Sequence, residues 1–292
     1  MAAHDTDIYQ TLEAYFGRLD DAPVSRVGIC ASEESKQWYE TVLMHAYRKY
    51  QAAKYHYGNL TKFLEEDSRQ DTPVELPKEL AARNVTMRSK RSIDVDRYAH
   101  ELSAFLAALK SALDFIATAC YRHFKGLHGD GISHLLHLEE SGKTGPILDQ
   151  VRHHHKWLIK LRSYRDQVVH RKVLTFQSYY EVHTIGGKSS AARCPVVVPE
   201  CLDVNVLDTR RSRMQDDVPL GIESCEMKMW EQHEDGTKKL ITYSKEYSPA
   251  PGYVSIDEFM RGHLVAFTDF FIDIISVLNT LDFKIIVEVD KG

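Results

Sequence analysis

Cysteine is scarce and scattered: Cys30, Cys120, Cys194, Cys201 and Cys225 are the only five in 292 residues. An odd number with no C-x-x-C pair argues against a disulfide framework and against a cysteine-built zinc site, so reduced thiols are expected. Proline (9) and glycine (15) are too few for a disordered or collagen-like chain. Long apolar runs are also missing. The best candidates, such as VAFTDFFIDIISVL, are broken by charge well short of the roughly 18 residues a membrane helix requires, and no membrane span is expected. The first residues, MAAHDTDIYQTLEAYF, have neither the basic flank nor the apolar stretch of a secretory signal, which points to the cytoplasm. An excess of positive charge is lacking too. The net charge of −5 argues against a broadly basic nucleic-acid coat, so any polyanion contact has to be local.

What is present is 43% hydrophobic and 27% charged residues, enough for a substantial core. Three regimes follow one another along the chain. From Glu33 to His170 apolar residues recur at helical spacing; from Val173 to Tyr253 short β-rich runs take over; from Ser255 to Leu281 the helical period returns. The first helix is expected over Glu33 to Glu66, where Trp38, Val42, Ala46, Ala53, Tyr57, Leu60 and Leu64 share a face. The segment Asp67 to Arg91, with Pro73 and Pro77, reads as a connection holding at most one helical turn. A second helix starts near Ser92 or Asp94 and runs to about Phe124, stopped by Gly126 and Gly129. The third opens at Pro146, a favoured first helical residue, and reads on to His170. Ser255 with Glu258 three residues on makes a capping box for the fourth.

The intervening β-rich stretch includes VLTFQSYYEVHTI, CPVVVPE, LDVNVL, ESCEMKMWEQ and KKLITYSKEY, the last two flanking an Asp235-Gly236 turn signal. The expected fold is therefore mainly α: a four-helix bundle with a strand-rich insertion between its third and fourth helices. In residues, an N-terminal extension covers 1–32, the bundle 33–172 plus 254–285, and the β-rich insertion 173–253.

The end of the third helix is the most informative stretch. From Arg152 to Lys172 it holds seven Lys or Arg and a single carboxylate, Asp166, in an otherwise acidic chain. Such a run is either a solvated helix face or a local polyanion site. Arg165 and His170 are separated by four residues, with Asp166 directly after the arginine. Five residues turn a regular helix by about 140° and raise it about 7.5 Å, so Arg165 and His170 do not stack on one face. Arg162, Asp166 and His170 do align at i, i+4 and i+8, which would let the carboxylate sit between guanidinium and imidazole. A carboxylate there favours the protonated imidazole, as a general acid requires. A second Arg/His pair, Arg122 and His128, straddles Gly126 and reads as a helix end without a site.

The four-helix arrangement, a second helix reading LSAFLAALKSALDFIA and a third ending in YRDQVVHR together resemble the HEPN superfamily. Its ribonuclease signature is arginine, a polar residue, three to five further residues and histidine, and Arg165, Asp166 and His170 fit it at the shortest spacing. The resemblance covers about Glu33 to His170 and Ser255 to Leu281. It implies an HEPN-like bundle and a metal-independent endoribonuclease acting as a homodimer, with two copies of the motif meeting across a two-fold axis, in a prokaryotic toxin or antiviral defence system. It also implies roles: His170 as general acid or base, Arg165 stabilising charge on the phosphate, Asp166 orienting His170. Lys160, Arg162 and Lys172 would then attract the RNA backbone. An antitoxin, a nucleotidyltransferase or a sensor assembly is the partner the resemblance suggests. The alternative is a catalytically inactive interaction module whose β insertion binds a partner.

Other candidates are set aside. His153, His154 and His155 would point about 100° apart on a continuous helix and could not converge on one ion, so no metal and no cofactor are expected. His134 and His137 read as a solvated or packed pair beside Glu139 and Glu140, and Gly186-Gly187-Lys188-Ser189 as a turn. Asp114, alone among apolar residues of the second helix, must find a partner. Either it braces Arg162 or Arg165, or it makes an ordinary helix–helix hydrogen bond.

Overall fold

Helical spacing of apolar side chains becomes helix over most of the described residues in a computed structural model. That structure describes residues 2–20, 33–69, 85–90, 95–124, 131–170, 179–185, 188–193, 195–200, 222–232 and 235–281. Among them the order is α1 (Ala2–Asp20), α2 (Glu33–Arg69), β1 (Val85–Lys90), α3 (Val95–Tyr121), α4 (Ile132–Glu140), α5 (Pro146–His153), α6 (His155–His170), β2 (Tyr179–Ile185), β3 (Lys188–Arg193), β4 (Val197–Pro199), β5 (Ile222–Gln232), β6 (Lys238–Pro249), β7 (Tyr253–Ser255) and α7 (Ile256–Thr280). The protein is thus mostly helical, with a few strands.

Two compact units share the chain: Met1–His56, Ala104–Asp166 and Arg261–Gly292 form one, and Tyr57–Ser103 and Gln167–Met260 the other. The boundaries fall within α2, α3, α6 and α7.

In the first unit the core is aromatic and aliphatic. Residues 1–32, read from sequence as an extension outside the bundle, contribute α1, whose Ile8, Leu12, Tyr15 and Leu19 are all buried. Tyr15 meets Tyr39 of α2 edge to face, with ring centroids 6.4 Å apart. Tyr50 of α2 stacks on Phe267 of α7 at 5.0 Å, and its hydroxyl bonds Thr268 Oγ1 at 3.1 Å, so a buried polar tip is satisfied without water. Phe105, Leu109, Leu113 and Ile116 of α3 and Phe270, Phe271 and Ile274 of α7 are buried. Cys120 is buried among them, and loss of solvent pushes its thiol up to about 12, which keeps it unreactive.

Two of these helices amend the expectation of no membrane-length segment. Asp96–Tyr121 and Ile256–Thr280 are long and apolar enough to cross a membrane by length and composition. Each buries about half of its apolar window inside the protein, 56% and 50%, as core helices do.

The second unit holds the strands. In the connection Asp67 to Arg91, VTMRSK forms a strand the sequence did not lead one to expect, β1, which pairs antiparallel with β2, Val85 opposite Thr184; residues 70–84, where a helical turn could fall, lie outside the described residues. The partner lies nearly a hundred residues away, so nothing local could announce it. β2 and β3 also pair antiparallel, with Ile185 opposite Lys188, in keeping with a turn at Gly186-Gly187, which itself lies outside the described residues. β5 and β6 form a hairpin, β4 pairs with β7, and LDVNVL lies outside the described residues. At the hairpin tip Gly236 has φ +82°, and Asp235 Oδ1 accepts from the Thr237 amide at 2.9 Å, the turn that Asp-Gly signals. At the start of α7 the Glu258 amide donates to Ser255 Oγ at 3.2 Å, the N-cap bond expected, and the carboxylate returns to the Ser255 hydroxyl, which donates to Glu258 Oε2 at 3.1 Å. The start of α3 is fastened to the end of α2 by buried Asp67, which accepts from Arg97 Nη2 at 2.6 Å and from the Tyr98 hydroxyl. Burial and this carboxylate push the Tyr98 phenol well up.

Candidate functional site

The expected third helix is two helices. α5 begins at Pro146 after Gly145 (φ +147°), buries Ile147, Leu148 and Val151, and stops at His153. His154 sits at φ −95°, ψ 6°, and α6 resumes at His155. Neither proline nor glycine explains this break. What holds it is tertiary: His154 Nε2 lies 2.8 Å from Asp273 Oδ2 on α7, and its ring packs edge-on against Phe270 at 5.4 Å. Next to it His155 Nδ1 is 2.9 Å from Glu139 Oε2, poorly aligned for a hydrogen bond, while Arg152 Nε donates to Glu139 Oε1 at 3.0 Å.

Beyond the break, α6 is continuous to His170. Leu158, Leu161, Tyr164 and Val168 are buried, which turns Lys156 and Arg162 outward and leaves Arg165 and Asp166 partly covered. Arg165 Nη1 donates to Asp166 Oδ1 at 2.9 Å, and Arg162 Nε is 4.0 Å from Asp166 Oδ2. The carboxylate is therefore engaged by its own neighbour, Arg165, more closely than by the arginine one turn back. His170 is the last residue of α6; its side chain and the whole of Lys172 lie outside the described residues.

Lys160 is half-buried rather than displayed, and its charge acts on His263 of α7. Trp157 Nε1 donates to His263 Nδ1 at 2.8 Å. Burial, helped by the Lys160 ammonium, lowers His263 to about 3. The imidazole is neutral, with Nδ1 as acceptor and its proton on Nε2. Sequence reasoning did not single out His263; the indole at Trp157, two residues beyond the histidine run, was the one cue to a polar partner for it.

Asp114 does not reach Arg162 or Arg165. Lys110 Nζ bonds its Oδ2 at 2.6 Å, and its Oδ1 accepts from the Ile132 amide at 3.1 Å, so it caps α4 from a neighbouring helix. The bracing role read for it gives way to the ordinary helix–helix bond. Gly131 precedes that amide with φ +101°, and a Cβ there would fall 2.1 Å from Asp114 Oδ1, so both backbone and space demand glycine. Arg122, of the second Arg/His pair, lies over the Trp38 ring at 3.5 Å, while His128 is outside the described residues. Its neighbour His123 lies near Tyr39 and is lowered to about 4 by burial. His134 and His137 are exposed on α4, and Glu139 turns to Arg152 and His155 instead of to them.

Chemically, the described part of α6 offers a guanidinium held by one carboxylate on a partly exposed face, with further cations along it. That arrangement can bind a phosphate by displacing or sharing the carboxylate. Comparison with protein-family models, with curated proteins and with solved structures finds no match to the chain.

Proposed function

We propose that the chain is a metal-independent endoribonuclease on an HEPN-like four-helix bundle with a strand-rich insertion, acting as a cytoplasmic homodimer in a prokaryotic toxin or antiviral defence system. The observation that carries this reading is the Arg165–Asp166 pair at 2.9 Å on an unbroken helix that reaches His170. Arginine, polar residue and histidine thus stand on one element, within the most basic stretch of an acidic chain. In the proposed reaction a ribose 2′-hydroxyl gives its proton to a base and its oxygen bonds to the adjacent phosphorus. The bond from phosphorus to the 5′ oxygen breaks, and that oxygen takes a proton, leaving a 2′,3′-cyclic phosphate and a 5′-hydroxyl. His170 supplies the proton transfers, and Arg165 stabilises the charge on the phosphoryl oxygens. Asp166 holds the Arg165 guanidinium in place, a different duty from orienting His170. Lys160, Arg162 and Lys172 add backbone attraction, and an antitoxin, nucleotidyltransferase or sensor protein restrains the enzyme.

The test is RNA cleavage by the purified full chain in the presence of chelator. Arg165→Ala and His170→Ala should each lower the rate by at least about 100-fold with the circular dichroism spectrum unchanged. Wild-type rates in both variants end the nuclease reading.

A second reading is favoured by the same pair. Arg165 is only 25% exposed and already paired with Asp166 through Nη1, as in a structural network of a non-catalytic interaction module. In that case both variants weaken self-association or partner binding and the wild type cleaves no RNA.

A further inference from the structure

The distortion at His154 accompanies a grouping of ligand atoms that the regular helical spacing of the histidine run does not lead one to expect. In a regular helix His153 and His154 diverge by about 100°. Here the backbone is distorted at His154 (φ −95°, ψ 6°), although its amide still bonds the Gln150 carbonyl at 3.1 Å; the two rings lie edge to face with centroids 4.8 Å apart, and Asp273 of α7 pairs with His154. One ligand atom from each of His153, His154 and Asp273 lies within 4.8 Å of the other two. All three belong to the first compact unit, so the arrangement rests on one set of packed helices.

We infer that His153, His154 and Asp273 form a binding site for a divalent transition-metal ion of the zinc type, which joins the α5–α6 break to α7. Two imidazoles and one carboxylate suit zinc, cobalt or nickel and not magnesium or calcium, which take oxygen ligands. The positions fit with small adjustments. Zinc sits about 2.0–2.1 Å from imidazole nitrogen and about 2.0–2.2 Å from carboxylate oxygen, so the two ligand atoms end roughly 3.4 Å apart in a tetrahedron. The His154–Asp273 pair, now at 2.8 Å, opens by about half an ångström as the ion replaces the proton they share. His153 is exposed and swings in from solvent, while His154 is already oriented by Phe270. Three protein ligands leave the fourth position to water. The site is separate from Arg165 and Asp166 and does not depend on the nuclease reading.

The experiment uses the full chain without a histidine tag, stripped with chelator and titrated with zinc chloride by calorimetry. Cobalt(II) serves as a second probe through its visible absorption. The expected result is one ion per chain, a tetrahedral cobalt spectrum and a melting temperature higher by roughly 5 °C at a hundredfold excess of zinc over Kd. His153→Ala and Asp273→Asn should each weaken binding by at least about tenfold. His134→Ala/His137→Ala, on exposed α4, should bind as wild type. Because His153 is exposed, its removal leaves the fold intact even if Asp273→Asn disturbs the pairing with His154. Absence of saturable binding overturns the site, as does binding that survives His153→Ala or disappears in the α4 double variant.

Discussion

The two ends of α6 are both rich in cations and imidazoles, and they are used in opposite ways. At and just before the N-terminal end, His154 is committed to Asp273, His155 lies beside Glu139 and Trp157 donates to His263, while Lys156 faces outward. At the C-terminal end Arg162, Arg165 and Asp166 interact with one another, on side chains 46%, 25% and 42% exposed. The first pattern stabilises a fold, and its removal leaves buried polar groups without partners. The second contributes little to stability and keeps charge within reach of a ligand. A basic, histidine-rich run in a sequence therefore divides by its tertiary partners, not by its composition.

The sharpest way to break this comparison is at the wall behind the N-terminal end. Phe270 is fully buried against Trp157 and His154. Phe270→Ala should destabilise by about 3–5 kcal/mol, read as a lowered denaturant midpoint. A loss comparable to that of an exposed site would show that the end of α6 is not anchored there.

Acid probes two buried imidazoles next, His263 at this end and His123 near Tyr39 of α2. His263 and His123 titrate at about 3 and about 4 in the folded protein, below the ordinary 6.5, because burial disfavours their charged forms. The unfolded chain therefore takes up protons first. Their contribution is complete above pH 6.5 and is lost as pH falls through 6.5 towards 4 and then 3. The combined loss is on the order of a few kcal/mol. Urea titrations between about pH 7 and about pH 4.5 should show it, with the slope reduced in His263→Gln, which keeps an acceptor for the Trp157 indole.

Smaller effects are expected at the cap of α4. Asp114→Ala should cost about 1 kcal/mol by leaving the Ile132 amide uncapped. Gly131→Ala, strained at φ +101° and in collision with Asp114, should cost about 1–3 kcal/mol by thermal melting. If Asp114 were instead part of the proposed site, Asp114→Ala would change RNA cleavage more than stability.

How much of this was legible follows from the range of each interaction. The helical stripe of α2, the Ser255 N-cap and the Asp235-Gly236 turn depend on residues within a few positions of one another, and they form where the spacing indicates. α1 carried the same kind of signal in Ile8, Leu12, Tyr15 and Leu19, a helical period overlooked because the segment was read for targeting features. β1 and the break at His154 carried none, since one is fixed by β2 and the other by Asp273, both far along the chain. At the candidate site, the grouping of Arg165 with Asp166 was visible in the sequence. That Arg165, rather than Arg162, would hold the carboxylate was not, because adjacent residues meet only through particular rotamers.

The smallest structural effect carries the most functional information. Arg162 and Asp166 are 4.0 Å apart, with side chains 46% and 42% exposed, so their attraction is screened and Arg162→Ala should change stability by less than about 0.5 kcal/mol. If the C-terminal end of α6 engages an RNA backbone, the same substitution removes one phosphate contact. Binding then weakens by a similar factor for all sequences, and the slope of log K against log salt becomes shallower by about 1. Filter binding over a salt series measures this. An unchanged slope together with unchanged stability would make the exposed arginine a solvated surface charge and leave Arg165 alone to meet any phosphate.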